Sequence, residues 1–151
     1  MTQILPTNQY LARYRIRDSN ICEKCQISAD TILHRLWQCQ LVVPFVAKIL
    51  IFLKEQCKIK ENIDSLHYIF GFENNPALNH ILLELKKDIF YNWDNEVTLD
   101  SFFGRFVAKI RKIMIIEKGC ITCDRTFDQY CKKWDAFLEI YDFRGPDPNI
   151  M

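Results

Sequence analysis

Four residues of metal-binding type stand close together early in the chain: Cys22, Cys25, His34 and Cys39, in the pattern Cys-x2-Cys-x8-His-x4-Cys. Two cysteines separated by two residues can aim both thiolates at one ion from a single tight turn. The stretch from Ile21 to Ala29 is polar and reads as a loop, and Asp30 suits the N-cap of a short helix running through Trp37. His34 and Cys39 lie on and just past that helix, about one and a half turns apart, so both can face one point. Three thiolates and one imidazole fill a tetrahedral shell with no open position, the donor set of one structural zinc ion. Calcium and magnesium prefer oxygen donors. These spacings predict a small zinc-stabilised N-terminal subregion in which metal binding does part of the work of a core.

Elsewhere the apolar residues recur at helical spacing, and no run alternates with period 2 for long enough to be a strand. Thr7 can cap a helix carrying Tyr10, Leu11 and Tyr14. A second helix opens near Leu41, with Pro44 in its first turn, and runs to about Gln56. Ser65 to Phe70 is short and stops at Gly71. Leu78, Ile81, Leu82, Leu85 and Ile89 mark a strongly amphipathic helix. Thr98 or Asp100 caps the next, which buries Phe102, Phe103, Phe106, Val107, Ile110, Ile113 and Met114. A last helix carries Phe127, Tyr130, Cys131, Trp134, Phe137, Leu138 and Tyr141. The fold expected is all-α: a Cys-Cys-His-Cys zinc subregion over 1–60, a helical bundle over 61–145, and a disordered tail over 146–151, where Pro146 and Pro148 follow Gly145. The length of 151 residues is enough for a true core.

Charge is divided unevenly. Residues 1–60 hold 9 Lys and Arg against 4 Asp and Glu, a net +5, while the remainder holds 11 against 15, a net −4. A polyanion-binding face is therefore expected in the first half. Arg13, Arg15, Arg17, Lys24 and Arg35 surround the metal loop and are the candidate phosphate contacts, with Tyr10, Tyr14 or Trp37 available to stack on a base. The alternative for this cluster is an ordinary solvated face. Arg105, Lys109 and Lys112, in the acidic half, read as solvated helix surface.

The first 20 residues are too polar for a secretory signal, and the apolar run from Leu41 to Leu53 is broken by Pro44 and Lys48 and is short of the ~20 residues of a membrane span. An intracellular protein, cytoplasmic or nuclear, is expected. Seven cysteines there argue for thiols and metal ligands over disulfides. Cys120 and Cys123 form a second Cys-x2-Cys without companion ligands and do not make a metal site, and Cys57 and Cys131 read as packed thiols. His67 and His80 read as surface or packing residues. No HExxH, phosphate-binding glycine loop or G-x-S-x-G is present, so no catalytic residues are expected.

Leu5-Pro6-Thr7-Asn8, Ser19-Asn20-Ile21-Cys22-Glu23-Lys24-Cys25 and Thr31-Ile32-Leu33-His34-Arg35-Leu36-Trp37-Gln38-Cys39 together resemble the zinc-binding region at the C-terminal end of LINE-type (non-LTR) retrotransposon reverse transcriptases. Ile69-Phe70-Gly71, Leu78 to Asn92, Phe102 to Glu117, Lys133-Trp134 and Phe137-Leu138 follow in that family's order, while Val46 stands where the family has Trp. The resemblance implies a non-catalytic region that helps handle template RNA or target DNA during target-primed reverse transcription. Its polymerase and endonuclease motifs are missing from this sequence, which then looks like a detached tail. The competing readings are a zinc-stabilised module that docks on a polymerase domain, and a retrotransposon relic without function.

Overall fold

A computed structural model describes Thr7, residues 19–94 and residues 96–141. The described residues are all-α, with a single antiparallel bridge between Ile21 and Ala29. A short π-helical turn, His34–Gln38, precedes five α-helices: α1 (Val43–Glu55), α2 (Ser65–Phe70), α3 (Pro76–Tyr91), α4 (Leu99–Gly119) and α5 (Asp124–Tyr141). The helix expected from Thr7 to Tyr14 and the tail over 146–151 lie outside the described residues, Thr7 itself apart.

Local chemistry explains most of the helix ends. Pro44 occupies the first turn of α1, where its missing N–H matters least. The side chains of Asp64, Asn75 and Thr98 accept the N–H groups of His67, Leu78 and Ser101 at 2.8, 3.1 and 3.2 Å, each an N-cap bond. Gly71 stops α2 with φ +88°, a value open mainly to glycine. The Asn79 side-chain amide lies directly behind it and clamps the Phe72 backbone, accepting from its N–H and donating to its carbonyl, each at 2.6 Å.

Helix α4 lies between α1 and α5, α5 also packs on α3, and the π-turn packs on α3 and α1. The expected faces are the buried ones: Leu78, Ile81, Leu82, Leu85 and Ile89 on α3, and Phe102, Phe106, Ile110 and Met114 on α4. Burying each such side chain contributes roughly 1.5–3 kcal/mol. Phe127 differs from its expected place: it is 45% exposed in the first turn of α5, while Tyr130, Trp134 and Phe137 carry the contact. Glu117 joins α4 to α5 by accepting from Lys133 Nζ and Trp134 Nε1, both at 2.7 Å, which gives the Lys-Trp pair a structural task. Burial opposes ionisation of Glu117, but those two donors outweigh it and hold its carboxyl below the usual value.

The boundary expected at residue 60 does not interrupt the packing. One continuous core runs from Cys22 and Leu36 through Ile49 and Leu53 to Trp134 and Phe137. Phe45 of α1 stacks edge-on against Phe102 of α4 and Trp93, Phe52 meets Phe103, and Lys48 pairs with Asp100 at 2.7 Å. Among the described residues no helix is long and apolar enough to cross a membrane.

Candidate metal centre

The loop that carries Cys22 and Cys25 is closed by its own backbone. Asp30 N–H donates to Asn20 carbonyl at 2.7 Å, Cys22 N–H to Ser28 carbonyl at 2.9 Å, and Gln26 N–H to Cys22 carbonyl at 2.9 Å. Gln26 takes a left-handed φ of 56°, which turns the chain sharply after Cys25. The second pair of ligands is brought together by an unexpected device. In an α-helix, five residues leave His34 and Cys39 about 140° apart around the axis. Here the turn widens to π geometry, with Cys39 N–H bonded to His34 carbonyl at 2.7 Å, so the two side chains return to nearly the same face. Beside Asp30, the cap that the sequence predicts for this helix, the Thr31 hydroxyl accepts the His34 N–H at 3.0 Å.

The four ligand atoms of Cys22, Cys25, His34 and Cys39 lie within 4.8 Å of one another. Cys22 Sγ is 4.0 Å from Cys39 Sγ, and Cys25 Sγ is 3.3 Å from His34 Nε2. Zinc–thiolate bonds of about 2.3 Å in a tetrahedron place sulfurs about 3.8 Å apart, so the cluster has the size to close on one ion. Cys22, Cys39 and His34 are buried and Cys25 is half-buried.

Electrostatics favour a cation at this point. Burial opposes ionisation of Cys25, but backbone N–H groups of Ser28 and Ile27 and the side chains of His34 and Cys22 outweigh it, and its pKa falls to about 6. Burial, reinforced by the electrostatic influence of the neighbouring Cys22 and Cys25 side chains, pushes Cys39 up to about 11. Three thiolates cannot share so small a volume alone; a divalent ion removes the conflict.

Two of the five candidate phosphate contacts face inward. Arg35 forms a bidentate pair with Asp30, with Nε donating at 2.8 Å; the two side chains are 11% and 0% exposed, and the guanidinium stacks over Phe90 at 4.8 Å. Lys24 sits over the Trp93 ring at 5.2 Å, and burial, then Arg35, lowers its pKa. These two cations fasten the candidate metal loop to the C-terminal end of α3. Arg13, Arg15 and Arg17 lie outside the described residues. Trp37, offered for stacking, lies against buried Tyr68 at 4.9 Å.

Phe90, Trp93 and Asp30 were not legible as parts of this site. Asp30 carried a local signal, five residues before Arg35, but nothing short-range announces Phe90 or Trp93. In the other half, Lys109 is engaged by Asp88 at 2.6 Å and Glu84 at 3.1 Å, while Arg105, Arg111 and Lys112 are exposed without an ionic partner among the described residues. His67 pairs with Asp64, and His80 lies 3.5 Å from Glu117 and tilts against Trp134. No protein-family model, curated protein or solved structure matches this chain.

Proposed function

We propose that the chain is a non-catalytic, zinc-organised region that binds RNA or single-stranded DNA, akin to the zinc-binding C-terminal region of LINE-type reverse transcriptases. The convergence of Cys22, Cys25, His34 and Cys39 to within 4.8 Å carries this reading. Three sulfurs and one imidazole nitrogen select zinc among common cellular ions, and a four-ligand shell leaves it no position for substrate. Zinc's contribution, when bound, is to order the loop that follows Arg13, Arg15 and Arg17 in the chain. Handling of template RNA or target DNA is the role the family resemblance supplies.

A second reading, a module that docks on a polymerase domain, draws support from Lys24 and Arg35: both are engaged internally, which leaves fewer cations around the loop for phosphates. Salt dependence of binding to single-stranded RNA separates the two. Changing Arg13 and Arg17 together to Gln lowers the log–log slope by roughly 0.7 per lost contact, with one equivalent of zinc retained. The pair Arg105→Gln and Lys112→Gln, on the α4 surface, leaves the slope unchanged. Equal losses from both pairs would indicate diffuse charge alone. Absence of binding at low salt by the zinc-loaded protein would favour the docking module.

A further inference from the structure

The four side chains of the candidate metal cluster are not equally reachable from solvent. Cys22 and Cys39 are 0% exposed and His34 is 7% exposed, whereas Cys25 is half-buried. Cys25 and His34 stand in the wall of an open cleft of about 440 Å³, lined also by Ile27 and Ser28 of the loop and by Gln38 and Gln40. Neither Cys22 nor Cys39 contributes to that lining. A water molecule takes up roughly 30 Å³ of liquid, so the cleft has room to bring a small solute to Cys25 while the other two sulfurs stay covered.

What happens at Cys25 reaches the whole cluster. Its sulfur is 3.3 Å from His34 Nε2 and within 4.8 Å of the sulfurs of both Cys22 and Cys39. Side-chain rotation over that separation can bring two sulfurs to the bonding distance of about 2.05 Å. Thiolates are the metal donors, and a disulfide has none left, so one such bond removes two of the four ligands. The exposed thiols of Cys120 and Cys123 differ in this respect, since among the described residues they belong to no group of metal-ligating side chains.

We propose that Cys25 is the oxidant-sensitive ligand of the centre: its oxidation by a hydroperoxide closes a disulfide to Cys22 or Cys39 and releases the ion. This rests on the zinc reading of the four ligands. The Cys25 sulfur attacks one oxygen of the hydroperoxide; an S–O bond forms, the O–O bond breaks, and the second oxygen leaves and takes a proton from solvent. The Cys22 or Cys39 thiolate then attacks the Cys25 sulfur. The S–S bond forms, the S–O bond breaks, and hydroxide leaves as water after taking a second proton. Two thiolates are oxidised to one disulfide as one hydroperoxide is reduced, hydrogen peroxide giving two waters. The two remaining donors no longer hold the ion, and the loop loosens beside Trp93 and Phe90.

The test treats the full zinc-loaded chain with hydrogen peroxide, follows released zinc with a chromogenic chelator, and maps every cysteine by mass spectrometry. In a parallel arm dimedone traps sulfenic acid. Early dimedone label on Cys25 should exceed that on Cys22 or Cys39 by about tenfold, because oxidation follows exposure and thiolate character. Without dimedone, the expected product within the cluster is one disulfide from Cys25, with one zinc released per disulfide and recovery on adding dithiothreitol and zinc. Replacing the exposed thiols outside the cluster, Cys120→Ser with Cys123→Ser, should leave the rate of zinc release unchanged. Equal or earlier label on Cys22 or Cys39 overturns the proposal, as does zinc retained after Cys25 is oxidised, or slower release from the double variant. Zinc content measured before peroxide is added separates the two claims. A chain that takes up no zinc fails the metal reading and this proposal with it, whereas a zinc-loaded chain that fails the peroxide test leaves the metal reading standing.

Discussion

Asp30 and Arg35 show how much a single pair contributes beside a cluster that could hold a metal ion. Neither side chain has water to fall back on: the carboxylate is fully buried and the guanidinium is 11% exposed between it and the Phe90 ring. Replacing such a pair by apolar groups of similar size can be nearly neutral, but removing one charge leaves the other stranded. Asp30→Asn is therefore expected to destabilise the metal-loaded protein by about 3 kcal/mol, within the range for broken buried pairs. The double change Asp30→Leu with Arg35→Met should recover much of that loss. Denaturant unfolding of the metal-loaded variants measures both; a single variant within 0.5 kcal/mol of wild type, roughly the effect of an ordinary surface substitution, would show that the pair is not buried as described.

At the scale of elements, two glycines make opposite predictions for the same substitution. Gly71 ends α2 at φ +88°, and a Cβ there would stand 2.8 Å from Asn79 Oδ1, which is held in place by Phe72. Gly71→Ala is expected to cost roughly 1–3 kcal/mol, the order of a residue forced into a sparsely populated backbone region. Gly104 lies within α4 on its exposed side, where a Cβ meets nothing within 4 Å. Gly104→Ala should stabilise by about 0.5–1 kcal/mol through the lower entropy of the unfolded chain. Thermal melts of the two variants should move in opposite directions, and a shared direction would contradict the helix end at residue 71. The π-turn is an element of the same kind, local in extent but set by its surroundings: its widened bond from Cys39 to His34 brings two ligands to one face.

For the whole molecule, the continuous core decides how far metal removal reaches. Cys39 carbonyl accepts the N–H groups of Val42 and Val43 at 2.8 and 2.9 Å, so the last ligand also starts α1. Chelation is expected to loosen the loop, the π-turn and the first turn of α1, and to release the Lys24 and Arg35 contacts at the end of α3. Helices α3, α4 and α5 keep their own apolar contacts and should retain most of the far-UV helical signal. Tryptophan reports the difference: Trp37 and Trp93 border the site and should shift in emission, whereas Trp134, bonded to Glu117, should not. Single-tryptophan variants resolve the three. Collapse of the helical signal on chelation would mean that the metal organises the entire core. Because the ligands must lose protons to bind, the same loosening should follow acidification of the metal-loaded protein.

The sequence by itself determined what short-range chemistry can encode. Ligand spacing located the cluster of three cysteines and one histidine that could hold a metal ion, periodicity located the buried faces of α3 and α4, and the N-cap at Thr98 and the glycine stop at Gly71 were readable from one or two residues each. Tertiary structure alone decided which partner each face and each charge would find. Arg35 and Lys24 had the composition of a phosphate-binding surface, yet Asp30, Phe90 and Trp93 turn them inward. Lys109 looked solvated until Glu84 and Asp88 of another helix met it, and Phe127 kept the helical spacing of a core residue while its turn of α5 passed the end of the packed layer. An apolar stripe or a cation declares its need for a partner within a few residues, but the identity of that partner depends on how distant helices cross.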